Sequence, residues 1–192
     1  MKLAASLDGK TALENGCSQW ITGPAARQDG HRWRARACAI LSGIGTVRAD
    51  DPQLTFREGA ADRPQPWRVV LSRTGRLPAQ ARLFTDEHKD RTLVLPGPDL
   101  TTALRELAGR GIVTVLIEGG GQVLGQAFAE RVVDELCWYV APRLCGAGVP
   151  VLGNAEWAAS VALEGVSVEV LEDNLCIHAR PVWPALAQEE KR

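Results

Sequence analysis

Cys38-Ala-Ile-Leu-Ser-Gly-Ile-Gly-Thr-Val-Arg-Ala-Asp-Asp-Pro-Gln-Leu-Thr-Phe-Arg57 is the stretch that decides the fold class of this chain. It begins with an apolar run, Cys38 to Leu41, that predicts a buried strand. Gly43 and Gly45 follow and predict a tight turn. The polar side chains beyond that turn are those of Thr46, Arg48, Asp50, Asp51 and Arg57. A strand that ends in such groups is typical of α/β proteins that bind a ligand beyond the carboxyl edge of the sheet.

The same stretch has a second interpretation as an ordinary surface loop. Asp-Asp-Pro is common turn chemistry, and Asp50 or Asp51 could cap a helical turn without binding anything. Two other strand ends, described below, favour the ligand-binding interpretation because they carry similar polar groups.

Length and charge limit the classes of protein to which the chain can belong. Its 192 residues fit one domain, predicted as residues 1–183 with a polar tail at 184–192. The net charge of -1, from 22 basic and 23 acidic residues, argues against a general nucleic-acid or membrane-surface binder. No apolar run approaches the roughly 20 residues that span a bilayer, and no signal peptide precedes the first strand. We therefore expect a cytoplasmic protein.

The cysteines and histidines are scattered along the chain. The five cysteines form no CxxC pair, which favours a reduced protein over a disulfide framework. The three histidines are equally isolated in the sequence, so we expect no metal site. The cysteines are interpreted as small core residues.

An arginine-rich helix is predicted before the central stretch. Thr22-Gly-Pro24 is a helix start with Thr22 as a candidate cap, and the helix is expected to run to about Ala37. Arg27 and Arg34 are seven residues apart and share a face. These arginines form either a solvated face or, at Arg34, a phosphate site, since a guanidinium matches phosphate with two parallel hydrogen bonds.

Two further strands end in groups suited to a nucleotide. Trp67 to Leu71 is followed by Ser72-Arg-Thr-Gly-Arg76, which fits either a nucleotide 2′-phosphate or an ordinary Thr-Gly turn. Ile112 to Ile117 reads as a central parallel strand covered on both faces and ends in Glu118-Gly-Gly-Gly121. The helix predicted next, Gln122 to Arg131, would present free N–H groups to a pyrophosphate.

The glycine motif after this strand is not GxGxxG, because Gly125 comes one place too late. Its glycines could instead serve only close packing of helix on strand. Glu118 needs a structural partner or a ligand, because a carboxylate at the end of a buried strand is costly when it is alone.

The remaining segments complete an α/β pattern. Strands are predicted at 2–6, 92–95, 134–140, 160–171 and 174–180, and a helix capped by Asp99 at 99–108. The last two strands are joined by a tight turn at Asp173-Asn174 and should be antiparallel. The expected fold is a mostly parallel central sheet with an antiparallel C-terminal hairpin and helices on both faces.

With these motifs laid out, the chain resembles the reductase domains of the bacterial RibD family, which belongs to the dihydrofolate-reductase-like superfamily. The resemblance covers almost the whole chain. It rests on Lys2-Leu-Ala-Ala-Ser-Leu-Asp-Gly-Lys10, Ser18-Gln-Trp-Ile-Thr22, Gly45-Thr-Val-Arg-Ala-Asp-Asp-Pro-Gln-Leu54 with Arg57, and Ile117-Glu-Gly-Gly-Gly121.

The resemblance implies NADPH-dependent reduction of 5-amino-6-(5-phosphoribosylamino)uracil to its ribitylamino form, a step of riboflavin biosynthesis. The implied catalytic residues are Lys2, Asp50 and Glu118. The implied substrate contacts are Ser18, Arg34, Leu54, Arg57 and Glu118. The implied cofactor contacts are Ala4, Trp20, Thr46, Asp50, Ser72, Gly120, Gly121, Gln122, Val123, Leu124, Gly125 and Gln126.

Other properties implied by the resemblance leave alternatives open. A homodimer is implied, as is a deaminase domain elsewhere, because the H-x-E and P-C-x-x-C deaminase signature is absent from this chain. One alternative function is another reductase of the superfamily, acting on a diaminopyrimidinone ribotide or a folate. The other is a non-catalytic domain that binds nucleotide or supports assembly.

Overall fold

The strands that end in polar residues in the sequence belong to a parallel sheet of four strands. The computed structural model describes residues 1–18, 20–57, 63–97, 99–156 and 160–183. The order in this sheet is β5-β4-β3-β6, and all three pairings are parallel. The four strands are β3 (Ala39–Gly43), β4 (Trp67–Leu71), β5 (Thr92–Leu95) and β6 (Val115–Ile117). β3 is buried along its whole length. Because it lies between β4 and β6, its carboxyl end is near the centre of the sheet edge.

A second sheet has the order β1-β7-β10-β9. β1 pairs with β7 in parallel, whereas β10 is antiparallel to both of its neighbours. The strands are β1 (Lys2–Ser6), β7 (Leu136–Ala141), β9 (Ala162–Leu171) and β10 (Asn174–Val182). A two-stranded ribbon of β2 (Lys10–Ala12) and β8 (Val149–Pro150) completes the strands. The predicted antiparallel C-terminal hairpin is therefore confirmed.

Within the described residues, five α-helices and one 3₁₀ turn connect these strands. They are α1 (Pro24–Arg36), α2 (Ile44–Asp50), α3 (Arg82–Thr85), the 3₁₀ turn Lys89–Arg91, α4 (Leu100–Gly109) and α5 (Gly121–Ala129). One apolar core joins the two sheets, because Leu3 of β1 packs in the same buried cluster as Leu41, Val69 and Ile117. The predicted α/β class is confirmed.

The start of α2 differs from the prediction. The chain makes no separate turn after β3, since α2 begins directly at Ile44 and Gly45 lies inside its first turn. Gly43 is required for a different reason than turning: a Cβ there would stand 2.7 Å from Cγ2 of Val123 on α5. The glycine therefore lets helix α5 pack against the end of β3.

Three other local predictions were wrong in detail. Thr22 does not cap α1; the N-cap is Gly23, whose N–H donates to the side-chain oxygen of Asn174 at 3.3 Å. β6 is shorter than the predicted strand, and Val113 is 81% exposed. The hairpin turn lies one residue earlier than predicted, because Glu172 takes the left-handed conformation and Asn174 already belongs to β10.

Some predictions fall outside the described residues. The polar tail at 184–192 lies there, as do residues 58–62, the first part of the polar segment from Glu58 to Gln65 that is expected to be a surface loop. Within the described residues, none of the helices has the length and apolar character needed to cross a bilayer.

Candidate active site

A bidentate ion pair between Arg34 of α1 and Glu118 lies at the carboxyl edge of the parallel sheet. Nε of Arg34 donates to Oε1 of Glu118 and Nη2 donates to Oε2, both at 2.8 Å. The side chains are 21% and 9% exposed, so the pair is largely shielded from water. Glu118 therefore has the partner that its burial requires.

The pair fixes the charge of both groups. Burial alone would raise the pKa of Glu118, but the charge and hydrogen bonds of Arg34 outweigh burial and lower that pKa to about 2. Lys2 and then His31 shift the pKa of Glu118 in the same direction. Burial opposes ionisation of Arg34 as well, yet Glu118 raises the pKa of its guanidinium. Glu118 is therefore a carboxylate at neutral pH.

The segment after α2 closes over Arg34. The carbonyl of Thr55 accepts a hydrogen bond from Nη1 of Arg34 at 3.0 Å. The preceding residue, Leu54, is buried and has a φ of 49°, a conformation that non-glycine residues adopt at a cost. Arg57 follows, exposed, and it makes no ion pair with any residue in the described ranges. Arg57 is therefore available to an anionic ligand.

A hydrogen bond joins the first and third of the predicted strand-end turns. The hydroxyl of Thr46, in the first turn of α2, accepts the N–H of Gly120 at 2.9 Å. Asp50 is four residues beyond Thr46 and so lies on the same face of α2. Asp50 is exposed, but partial desolvation raises the pKa of its carboxyl. The ends of β3 and β6 therefore meet.

Ser72 lies at the end of β4, the strand next to β3 in the sheet. Its N–H donates to Leu95 of β5 at 3.1 Å, but its buried hydroxyl has no hydrogen-bond partner among the described residues. The hydroxyl of Ser42, inside β3, is buried and unpartnered within the same ranges. Buried hydroxyls usually find partners, so these two are candidates for ligand contacts.

Packing accounts for part of the glycine motif. A Cβ on Gly121 would stand 2.4 Å from the backbone nitrogen of Gly153, and one on Gly125 would stand 2.2 Å from the carbonyl of Leu152. These two glycines let α5 approach the loop after β8. Gly120 is less confined, since the nearest atom to a Cβ there is the Thr46 hydroxyl at 3.4 Å. Gly121 and Gly125 are therefore explained by close packing of α5, which is the alternative to a ligand-binding role.

The remaining residues predicted from α5 have different environments. Leu124 is in the core, Val123 packs on Gly43, and Gln126 donates from Nε2 to Glu130 at 2.6 Å. Gln122 is exposed in the first turn of the helix. A ligand at this helix would therefore meet the backbone of its start and the side chain of Gln122.

Lys2 and Asp50, two of the implied catalytic residues, are not joined by a contact. Nζ of Lys2 lies 5.7 Å from the ring centroid of Tyr139, and its charge acts on Glu118. No hydrogen bond or ion pair links it to Asp50 in the described part of the chain. The structure therefore places Lys2 with Glu118 and Asp50 with Thr46.

The remaining predicted contacts come from the first third of the chain. Ala4 lies on β1 beside Tyr139. Ser18 is half-buried, and the indole of Trp20 is 63% exposed, with the guanidinium of Arg27 stacked 4.7 Å from its ring centroid. Trp20 therefore presents a flat apolar surface that a ligand ring could cover.

Sequence reasoning missed His31. It lies one helical turn before Arg34 on α1, and its buried Nδ1 has no partner among the described residues. Burial, followed by the charges of Arg34 and Arg57, lowers the pKa of its imidazole. The i, i+3 spacing from Arg34 was the signal that could have placed it in the site.

The described residues fit a dinucleotide at this edge. Helix α5 begins at Gly121 without a side-chain hydrogen bond from its N-cap residue, Gly120, and the partial positive charge of its start lies at this edge. The unpartnered hydroxyl of Ser72 lies one strand away from β3, at the same edge. An uncapped helix start and an orphan hydroxyl are suitable partners for phosphate oxygens.

Comparisons with known proteins support the resemblance. Residues 1–177 match the profile of the RibD C-terminal domain. The riboflavin biosynthesis protein RibD of Mycobacterium tuberculosis is 43% identical over 155 residues, which is 80% of this chain and 44% of that protein. The chain thus spans about half the length of the curated relatives it matches.

Solved structures agree with the sequence matches. RibD of Acinetobacter baumannii superposes with a TM-score of 0.84 and 34% identity over 95% of this chain and 57% of that one. A Thermotoga maritima protein described as a diaminohydroxyphosphoribosylaminopyrimidine deaminase and 5-amino-6-(5-phosphoribosylamino)uracil reductase gives 0.78 and 28% over 94% and 55%. With its fold, its strand-end site and these matches, the chain belongs to the RibD C-terminal domain family.

Proposed function

We propose that this chain is an NADPH-dependent reductase of riboflavin biosynthesis that converts 5-amino-6-(5-phosphoribosylamino)uracil to 5-amino-6-(5-phosphoribitylamino)uracil. The observation that carries the proposal is the Arg34–Glu118 pair, set beside the Thr46–Gly120 contact at one sheet edge. The reductase activity named for the Thermotoga maritima protein supports the same substrate for this chain.

The proposed substrate contacts follow from the chemistry of the pair. Arg34 uses three of its five N–H groups on Glu118 and Thr55, so two remain for a substrate oxygen. Each oxygen of Glu118 accepts one hydrogen bond from Arg34 and keeps a lone pair for a uracil N–H. Arg57, which makes no ion pair with the described residues, supplies its charge for the phosphate. Ser18 and the backbone of Leu54 border the same region in this proposal.

The proposed cofactor contacts lie on the other side of the strand ends. The start of α5 would hold the pyrophosphate through its backbone and the side chain of Gln122, with Thr46 and Asp50 on α2 beside it. Ser72 would bind the 2′-phosphate. Trp20 and Ala4 would border the nicotinamide. Bound NADPH would supply the hydride that reduces C1′ of the substrate.

In this mechanism, the protein residues mainly hold the substrate and the cofactor in position. The ribosylamino ring must open before C1′ can be reduced, and opening requires proton transfer at the ring oxygen. We propose Lys2 and Asp50 for that transfer. Because these two residues are not in contact, they would act from different sides of the substrate. The ion pair of Glu118 with Arg34 fixes the uracil and keeps the geometry constant from one turnover to the next.

An assay with matched substrates tests the function. NADPH oxidation is followed with the deaminated substrate, the undeaminated diaminopyrimidinone ribotide, and dihydrofolate. The proposal expects turnover with the first and little with the other two. Turnover of the ribotide or of the folate would identify the alternative reductase. Tight NADPH binding without turnover of any of them would identify a non-catalytic nucleotide-binding domain.

We also propose that the chain works in the cytoplasm as a homodimer. β9 is the last strand of its sheet, and Val166, Val168 and Val170 on one face of it are 56–67% exposed. An exposed apolar edge strand usually requires a covering partner. The proposed occupant is a second copy of this chain. Light scattering of the wild type and of Val168→Lys tests it, with a dimer and a monomer as the expected masses.

The relatives also bear on the proposed deaminase partner. The name of the Thermotoga maritima protein includes a deaminase as well as a reductase, and this chain aligns with 55% of it. We propose that this chain supplies only the reduction and that a separate deaminase domain supplies its substrate. A deamination assay of this chain alone should show no ammonia release.

A further inference from the structure

Two cysteines and a histidine from different strands meet beneath helix α1. The sulfurs of Cys137 on β7 and Cys176 on β10 are 3.6 Å apart, and Nε2 of His178 lies 3.2 Å from the sulfur of Cys176. All three atoms lie within 4.8 Å of one another. These residues are isolated from one another in the sequence, and the sheet brings them together.

The strand register explains this convergence. Cys137 lies directly opposite His178 in the antiparallel β7–β10 ladder. Cys176 is two residues before His178, so both side chains point to the same face of β10. The three residues therefore occupy one face of two neighbouring strands, and backbone hydrogen bonds hold that arrangement.

The distances match the coordination geometry of zinc. With Zn–S bonds of about 2.3 Å and Zn–N bonds of about 2.05 Å, tetrahedral ligands stand about 3.8 Å (S to S) and about 3.6 Å (S to N) apart. The two sulfurs at 3.6 Å, and the Cys176 sulfur and His178 Nε2 at 3.2 Å, are within a few tenths of an ångström of those values, while Cys137 and His178 lie within 4.8 Å of each other and would have to move closer. Two thiolates and a neutral imidazole around Zn²⁺ carry no net charge, which suits an apolar environment.

We propose that Cys137, Cys176 and His178 bind one zinc ion that ties β7 to β10. Binding exchanges the two thiol protons for two Zn–S bonds, and both protons go to solvent. A water molecule completes the tetrahedron, as in zinc sites with three protein ligands. The site is separate from the Arg34–Glu118 pair and does not depend on the proposed reductase activity.

The surroundings provide both packing and access. Ala26, Trp33 and Tyr139 pack around the two cysteines, and the indole of Trp33 lies 5.5 Å from the imidazole of His178. A surface cavity reaches His178. The charged residues that line this cavity are Glu135, Glu164 and Arg180, with a net charge of one negative unit. A cation can therefore reach His178 through a cavity whose net negative charge attracts it weakly.

Metal titration of the reduced full chain tests this site. The background is the chain with Cys17, Cys38 and Cys145, which lie outside the cluster, replaced by serine. Co²⁺ is added first because thiolate ligands give it a characteristic charge-transfer absorption, and Zn²⁺ is then used to displace it. We expect one Co²⁺ per chain, with thiolate absorption that Zn²⁺ abolishes.

Ligand variants and a matched control complete the experiment. His178→Gln and Cys176→Ser should each weaken binding by about 100-fold or more, whereas His88→Gln should leave it unchanged. Zn²⁺ should also raise the Tm of the background and not that of His178→Gln. Failure of the background to bind Co²⁺ or Zn²⁺ overturns the proposal, as does unchanged binding in His178→Gln. His178 is only half-buried, so its variant tests the site even if Cys176→Ser does not fold.

Discussion

Arg34 and Glu118, which are 84 residues apart in the chain, face each other through two parallel hydrogen bonds of 2.8 Å. The sequence left open whether Glu118 meets a structural partner or a ligand, and whether Arg34 meets solvent or a phosphate. The structure makes them one unit, in which each side chain neutralises the other. A substitution of either residue therefore changes the charge state and the position of both.

The first prediction concerns the coupling between these two side chains. Arg34→Gln and Glu118→Gln should each lower the free energy of unfolding by about 3–5 kcal/mol, because each leaves the partner charge buried and unpaired. The double variant should lose much less than the two losses combined. Urea unfolding measures all three. Additive losses would contradict the coupling.

The matched control for this cycle is an exposed ion pair on α4. Arg110 donates to Glu106 at 2.6 Å, and both side chains are more than 40% exposed. The corresponding glutamine variants should each change the free energy of unfolding by less than about 1 kcal/mol, because water already solvates both charges.

The second prediction concerns acid stability. The pKa of Glu118 is about 2 in the folded protein, against 4.5 for an unperturbed glutamate. A depressed folded-state pKa contributes stability that is present above pH 4.5 and is lost as the pH falls towards 2. The stability difference between wild type and Glu118→Gln should therefore shrink across that window. Denaturant unfolding at several pH values checks it, and a constant difference would contradict the assigned pKa.

The third prediction concerns Arg57 and the substrate phosphate. Arg57→Ala should raise the KM for the phosphorylated substrate about 10- to 100-fold, because it removes a charge-assisted hydrogen bond. The kcat should change less. Arg110→Ala, which removes an exposed arginine outside the site, should leave the KM unchanged. A KM for Arg57→Ala equal to that of the wild type would show that the phosphate binds elsewhere.

The fourth prediction compares two helical glycines. Gly121→Ala places a Cβ 2.4 Å from the backbone of Gly153 and should destabilise the protein by about 1–3 kcal/mol or more. Gly109→Ala, at the end of α4, meets no atom within 4 Å and should be neutral or slightly stabilising. Urea unfolding of both variants gives the comparison. Equal effects of the two substitutions would contradict the packing role of Gly121.

Local signals in the sequence predicted much of the secondary structure. The bounds of β1, β4 and β5 agree with the prediction to the residue, because each is a short apolar run between polar turns. Asp99 caps α4 as expected, accepting the N–H of Thr102 at 2.6 Å. Capping and apolar runs depend on residues close in the chain, so one sequence contains the information they need.

Contacts between distant segments were beyond the sequence. The residues near Arg34 in the chain do not show that its guanidinium will pair with Glu118. The residues near Cys137 do not show that His178 will lie opposite it on the neighbouring strand. The short length of β6 was also beyond the sequence, because it depends on pairing with a distant strand. The β-branched residues before Val115 resemble strand residues, but pairing with β3 begins only at Val115. Strand pairing and side-chain partners are set by the tertiary fold, which the local pattern does not contain.

The pairing of β1 with β7 has a consequence for how the protein is made. Lys2 is synthesised well before its ladder partner Cys137, because β2 to β6 lie between them in the chain. Until Cys137 is made, the backbone groups of β1 do not have β7 to pair with, and non-local pairings of this kind form slowly. During translation, β1 is therefore exposed to misassociation, and we expect chaperones that bind extended apolar peptides to recognise it.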